Sequence, residues 1–336
     1  MRKIIAALLM ASAVMSSCTH KELCFGHHHT ARVRVVTDWS GFTVEQPTGM
    51  SVHIYDEDGD EVRRSLSNNT AFTDFELEPG GYEAVVFNQS PSEFGSVRFE
   101  ELNRLERASV WADYTKSLWF KADADEPVIC QPEWVGTDMQ EGLAVDRNMM
   151  ASSPEARATR SESFPQENVL ARLTPQNIIY TITITVRIHG IHNLKAARGS
   201  LSGLAAGYFL GLGHPAEDTG TELLEEWTVT RDSSDPTRGF LKTEITAFGL
   251  PYGHLASPQD NIFKLSLLLV DNKTKLDYLF PVGDRFTGDA DRELHLELSE
   301  EIADRLPDVK PENGSAGGFD ASVDDWGDEE IIDIPV

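Results

Sequence analysis

The chain of 336 residues holds 55 Asp and Glu against 29 Lys and Arg, a formal charge of −26. Nucleic acid is a poor partner for such a surface, because phosphate binding needs basic side chains clustered on one face. At this length two domains are expected, and beyond the leader no run reaches the roughly 18 apolar residues of a membrane span.

Arg2 and Lys3 open the chain, residues 4–14 are an apolar run too short to cross a bilayer, and Ser16 and Ser17 lead directly to Cys18. This is the layout of a bacterial lipoprotein signal. The Cys18 thiol can take a diacylglyceryl group and, after cleavage, its freed amine a further acyl chain. Each buried CH₂ contributes about 0.8 kcal/mol and one chain holds only marginally, so two or three chains make a lasting anchor. Residues 1–17 are thus expected to be a signal peptide and 18–30 a lipidated, palmitate-bearing tether on the outer membrane. With Cys18 assigned to lipid, Cys24 and Cys130 remain as an even pair in an exported chain. They are open to disulfide pairing, or are two free thiols, and sequence does not place their Cα atoms.

The body begins at residues 31–37, where Ala31, Val33 and Val35 fall on one side and Arg32 and Arg34 on the other, the period of two of a half-buried strand. Residues 51–55 form the next strand, before a turn at Asp58 and Gly59 whose glycine tolerates the positive φ of tight hairpins. Strands at 72–77 and 82–87 are joined through Glu78, Pro79, Gly80 and Gly81. Residues 100–108 are the best helix candidate, read as a peripheral insert. After Gly136 the alternation stops and residues 151–161 are small and polar, so 136–165 is expected to be a linker or long loop.

The cleanest signal follows. Ile178, Tyr180, Ile182, Ile184, Val186 and Ile188 alternate with polar residues and one isoleucine, which requires a sheet with one covered face. Further strands are expected at 226–230, 240–247, 263–270, 276–280 and 293–298. Short strands separated by Gly, Pro and Asp predict an all-β protein.

Candidate chemistry is sparse. His20, His27, His28 and His29 suit a metal by type, but consecutive histidines in a strand point to opposite faces and do not converge. Residues 56–60, Asp-Glu-Asp-Gly-Asp, hint at calcium, yet glycine comes fourth rather than sixth and the twelfth position is Ser67, so an acidic hairpin turn is the better reading. Residues 199–203 have the glycines of a serine-hydrolase elbow with Leu201 where the nucleophile belongs. Gly203, Gly207, Gly211 and Gly213 match no phosphate-binding pattern and are expected to serve close backbone packing in a loop. Trp39, Trp111, Trp119, Trp134, Trp227 and Trp326 would stack on sugar rings where exposed, with core packing the default for at least half. No metal, cofactor or catalytic residue is predicted.

Cys18 to Cys24, then His27 to His29 leading into residues 33–39, resembles the start of an uncharacterised family of outer-membrane lipoproteins from gut-type anaerobic bacteria. Asn193 and Leu194, residues 199–203, Ala206 and Gly207 match its middle, and Gly317 to Phe319, Val323 to Trp326 and Ile331 to Ile334 match its end. That family carries a domain-of-unknown-function label and is similar to fimbrillin-associated anchor and minor subunits. The resemblance implies two tandem transthyretin-like β-sandwiches, expected over 31–135 and 166–336, and residues 77–82 resemble the L-x-P-G-x-Y hairpin of such sandwiches. It further implies a non-catalytic, surface-exposed anchor or accessory lipoprotein that joins fimbrial subunits by β-strand addition. Ile331, Ile332 and Ile334 are the candidate donor strand, with completion of the second sandwich as the other role for that segment. The alternative function is a glycan- or nutrient-binding surface lipoprotein.

Overall fold

The computed structural model describes residues 30–117, 120, 126–150, 168–251, 257–288 and 294–311, and they form an all-β fold of five sheets. The first sheet runs in the order β10 (Val169–Leu173), β1 (Ala31–Thr37), β4 (Phe72–Leu77). The second runs β11 (Gln176–Asn177), β9 (Gly136–Val145), β5 (Gly80–Phe87), β2 (Met50–Asp56), β3 (Glu61–Ser67). Val33 and Val35 from the first and Val52, Ile54 and Val86 from the second meet in one buried cluster, as the alternation of β1 requires.

A second pair of sheets follows. One runs β17 (Thr228–Arg231), β18 (Arg238–Ala247), β12 (Tyr180–His189), β21 (His295–Glu301), and the other β20 (Lys275–Pro281), β19 (Ile262–Leu269), β13 (Leu194–Ala205), β16 (Thr219–Leu224), β8 (Val128–Ile129). Ile182, Ile184 and Val186 face Leu265 and Leu267 in the largest core. The alternating pattern of β12 thus buries one face and pairs along its length with β18 and, in parallel, with β21.

The fifth sheet, β15 (His214–Pro215), β14 (Gly207–Phe209), β7 (Ser109–Ala112), β6 (Val97–Glu100), supplies a third layer. Its Val110 and Ala112 share a core with Tyr55 and Phe87 of the second sheet and with Ile179 and Phe248 from the other half of the chain. This explains why β2 is buried at six successive positions. One face meets the first sheet's core and the other meets this one, so its sequence shows no alternation.

Four expectations are revised. Residues 100–108 hold no α-helix: a single 3₁₀ turn spans Leu105–Arg107. Glu101 takes φ of 51° and the Leu102 carbonyl accepts from the Tyr55 hydroxyl at 2.8 Å. The Leu105 N–H donates to the Gly59 carbonyl at 3.0 Å, so the backbone groups a helix would use are engaged by the β2–β3 hairpin. The stretch 136–165 contains β9, which buries little between Thr137 and Gly142 and so lacks the apolar period of a strand. Strands also do not sort at the expected boundaries, since β10 and β11 join the first two sheets while β8 pairs with β16 in the second sandwich. Finally, Gly203 and Gly207 lie in strands β13 and β14 rather than a loop, though close backbone packing is indeed their role.

Candidate functional site

Cys18, Cys24, His20, His27 to His29, Ile331, Ile332 and Ile334 fall outside the described residues. Cys130 follows β8, half-buried, and burial together with the neighbouring Asp113 carboxylate raises its thiol pKa, so it is a poor nucleophile. Asp56 accepts from the N–H groups of Asp58 and Asp60 at 3.1 and 3.0 Å, and Gly59 takes φ of 76°, the acidic hairpin turn expected there. Among the described residues no group of three or more His, Cys, Asp or Glu could hold a metal ion. Trp227 is buried and Trp39 donates to the Thr70 carbonyl, while Trp111 lines a surface groove.

One constellation was not anticipated. Ser51 Oγ lies 2.8 Å from His53 Nε2, and His53 Nδ1 lies 2.7 Å from Glu61, the atomic order of a hydrolase triad. Ser51 and His53 share a face because they are two apart on β2, and the hairpin brings Glu61 across. Ser51 is 0% and His53 1% exposed, with Phe87 edge-on to the imidazole at 5.4 Å. No substrate reaches a buried hydroxyl of this kind, and the bonds satisfy polar groups between two layers.

The sheet edges offer a different sort of site. β3 and β21 are guarded in ways that natural sheets use against unwanted pairing. β3 places the exposed Arg63 and Arg64 at its centre, and Ser65 bonds Thr73 of β4 at 2.8 Å. β21 is bridged from outside by Thr287, whose backbone exchanges hydrogen bonds with Glu297. β20 differs. It pairs with β19 from Ile262↔Pro281 to Leu268↔Lys275, and no backbone bond reaches its other side among the described residues. Leu276, Tyr278 and Phe280 point toward the core but remain half-buried, while Leu279 on the opposite face is 55% exposed. Phe280 stacks on Phe263 at 5.5 Å and Tyr278 on Phe280 at 6.3 Å, so the edge is a rigid aromatic ladder. An added strand would cover these side chains and pair with the backbone on that side.

Comparison with known proteins gives the family. Residues 17–225 match the family described as Domain of unknown function (DUF5119). The chain belongs to this family. The DUF5119 match stops just after β16, so the β20 edge lies beyond it. A Bacteroides ovatus protein assigned as fimbrium anchoring subunit Fim4B is 19% identical over 98% of this chain and 97% of its own length. A solved Bacteroides ovatus protein assigned as an adhesin is 16% identical with a TM-score of 0.53, covering 88% of this chain and 99% of its own, and shares the fold. The fimbrial anchor protein Mfa2 from Porphyromonas gingivalis is 13% identical, with a TM-score of 0.44 over 80% of this chain and 90% of its own.

Proposed function

We propose that this DUF5119 protein is a cell-surface fimbrial anchor or accessory subunit, held by lipid at Cys18, that joins an appendage subunit through β-strand addition and has no catalytic role. The β20 edge carries the reading: Leu276, Tyr278 and Phe280 line its inner face, Leu279 stands beside Lys275 and Asp277 on its outer face, and no backbone bond reaches its other side among the described residues. Strand addition draws affinity from main-chain hydrogen bonds and specificity from alternate side chains, and β20 offers both. The near full-length likeness to the fimbrium anchoring subunit of Bacteroides ovatus supports the same role. On this reading β20 accepts a strand, and Ile331 to Val336 is the segment this chain would donate, since Ile332 and Ile334 share one strand face and Pro335 marks its end.

Leu279→Lys tests the acceptor. Its side chain is largely outside the core, so the fold and surface display persist, while a lysine at the edge blocks pairing. Recovery of appendage subunits with the tagged protein should fall by at least about tenfold, in line with an interface hot spot. Unchanged recovery removes β20 from the assembly. Deleting residues 331–336 tests the donor separately: a folded protein that loses its partner supports donation, and a protein destabilised by the deletion places those residues in the second sandwich.

The anchor is tested at Cys18. Cys18→Ala should leave a precursor still carrying residues 1–17 and abolish incorporation of a fatty-acid probe. Labelling that persists in the variant rules out lipid at this position.

A further inference from the structure

On the fifth sheet, away from the β20 edge, a groove of about 410 Å³ opens between β6, β7 and the start of β16, within the usual range of small-ligand sites of about 300–1,000 Å³. Its walls include Arg98, Glu100, Trp111, Tyr114, Asp218 and Thr219. We propose that this groove binds a neutral saccharide.

The aromatic side chains are fixed before any ligand arrives. The Trp111 indole lies on the backbone of Gly207, where a Cβ would come within 2.5 Å of the ring, and its Nε1 donates to Ser109 Oγ at 2.9 Å. Its polar edge is therefore satisfied inside the sheet. Tyr114 is 63% exposed, unusual for so large a ring, yet it is held by the Arg98 guanidinium 4.7 Å from the ring centroid. Arg98 is itself fixed: its Nε bonds Glu100 at 2.9 Å, and its Nη1 donates to the Ala112 carbonyl and lies 3.6 Å from Asp113. Ordering these groups in advance lowers the entropic cost of binding.

The charges select the ligand class. Arg98 is balanced by Glu100, and Asp218 adds an exposed carboxylate, so the groove carries a small negative excess on a chain of charge −26. An anion is repelled by that field. A quaternary cation would compete with Arg98 for the face of Tyr114. A polyol fits both features. The carboxylates accept from its hydroxyls, Arg98 and Thr219 donate to them, and the C–H face of a pyranose ring stacks on an aromatic side chain. The inference stands apart from strand addition, because no residue of β20 is among those lining the groove.

The full chain, in a detergent without sugar headgroups, should be titrated with cellotetraose, xylotetraose, mannotetraose and N-acetyllactosamine, with sialyllactose and tetramethylammonium as charged probes. Saturable binding of at least one neutral oligosaccharide is expected, weakened about tenfold or more by Trp111→Ala and by Tyr114→Ala. Tyr114 is exposed, so its truncation leaves the protein folded and decides the matter should Trp111→Ala fail to fold. The proposal is overturned when no neutral oligosaccharide binds, when binding survives Tyr114→Ala unchanged, or when either charged probe binds in preference.

Discussion

Gly203→Ala is expected to lower stability by about 3 kcal/mol or more, the range reserved for strained backbone combined with a steric clash. Gly203 takes φ of 75°, and a Cβ there would lie 1.9 Å from the Asp260 carbonyl oxygen and 2.7 Å from the Asn261 amide. The nearer atom is backbone and cannot rotate away. The surroundings leave little freedom: Gly203 N donates to Glu126 at 2.6 Å, Asn261 donates to the Ser202 carbonyl at 2.9 Å, and Ile262 N donates to Ser202 Oγ at 3.1 Å. These bonds tie the irregularity of β13 between Leu201 and Leu204 to the start of β19. Gly59→Ala is the control, with φ of 76° and nothing within 4 Å of the added carbon. It should cost only the left-handed backbone penalty of about 1–2 kcal/mol. Chemical denaturation of both variants separates the two terms, and equal losses would refute the steric account.

Glu222→Met should raise stability, and more so at alkaline pH. Glu222 is 0% exposed on β16, and neither carboxylate oxygen has a hydrogen-bond partner. Burial pushes its pKa well above the ordinary value of 4.5, so the neutral acid is the folded form. A raised folded pKa means that the unfolded chain releases this proton first. The stability associated with protonation is complete below about pH 4.5 and is lost as pH rises toward the folded value. Met has similar volume and nothing to ionise. It removes two unbonded oxygens, worth about 1–3 kcal/mol, and flattens the decline at high pH. His53 acts in the opposite sense. Desolvation lowers its pKa below 6.5 against the raising effect of Glu61, so its contribution is present above pH 6.5 and weakens as pH falls. Melting curves from pH 5 to 9 test both signs. A Glu222→Met curve parallel to the unmodified protein's would mean that Glu222 does not titrate in this range.

The all-β class was legible wherever one face of a strand is covered. Residues 178–188 announced β12, and the expected strands at 240–247 and 263–270 differ from β18 and β19 by one or two residues at an end. What sequence could not supply was pairing at a distance. β1 aligns with β10 through Arg34↔Val169, and nothing local to either strand records that partnership. β2 was expected at 51–55, but its sequence did not show that both faces are covered, a burial that erases the alternation. The Ser51, His53 and Glu61 cluster had a faint signal in the spacing of two along a strand and the hairpin turn that follows. Glu222 had none: an acid inside Thr219–Leu224 reads as a solvent-facing position until the neighbours β8 and β13 are known. The groove likewise needed β7 and the start of β16 brought together before Tyr114 and Asp218 could share a wall.

The parallel pairs at the two ends of the described body bear on tension. β1 is entered at Ala31, while the chain leaves its parallel neighbour β10 at Leu173, at the far end of the pair. β21 is left at Glu301, while its parallel neighbour β12 is entered at Tyr180, again at opposite ends. A pull applied before Ala31 and after Glu301 therefore slides each pair along its length instead of peeling it open. From Thr181↔His295 to Arg187↔Glu301 every rung resists at once, so a tug on the two ends meets the ladders in their stiffest direction.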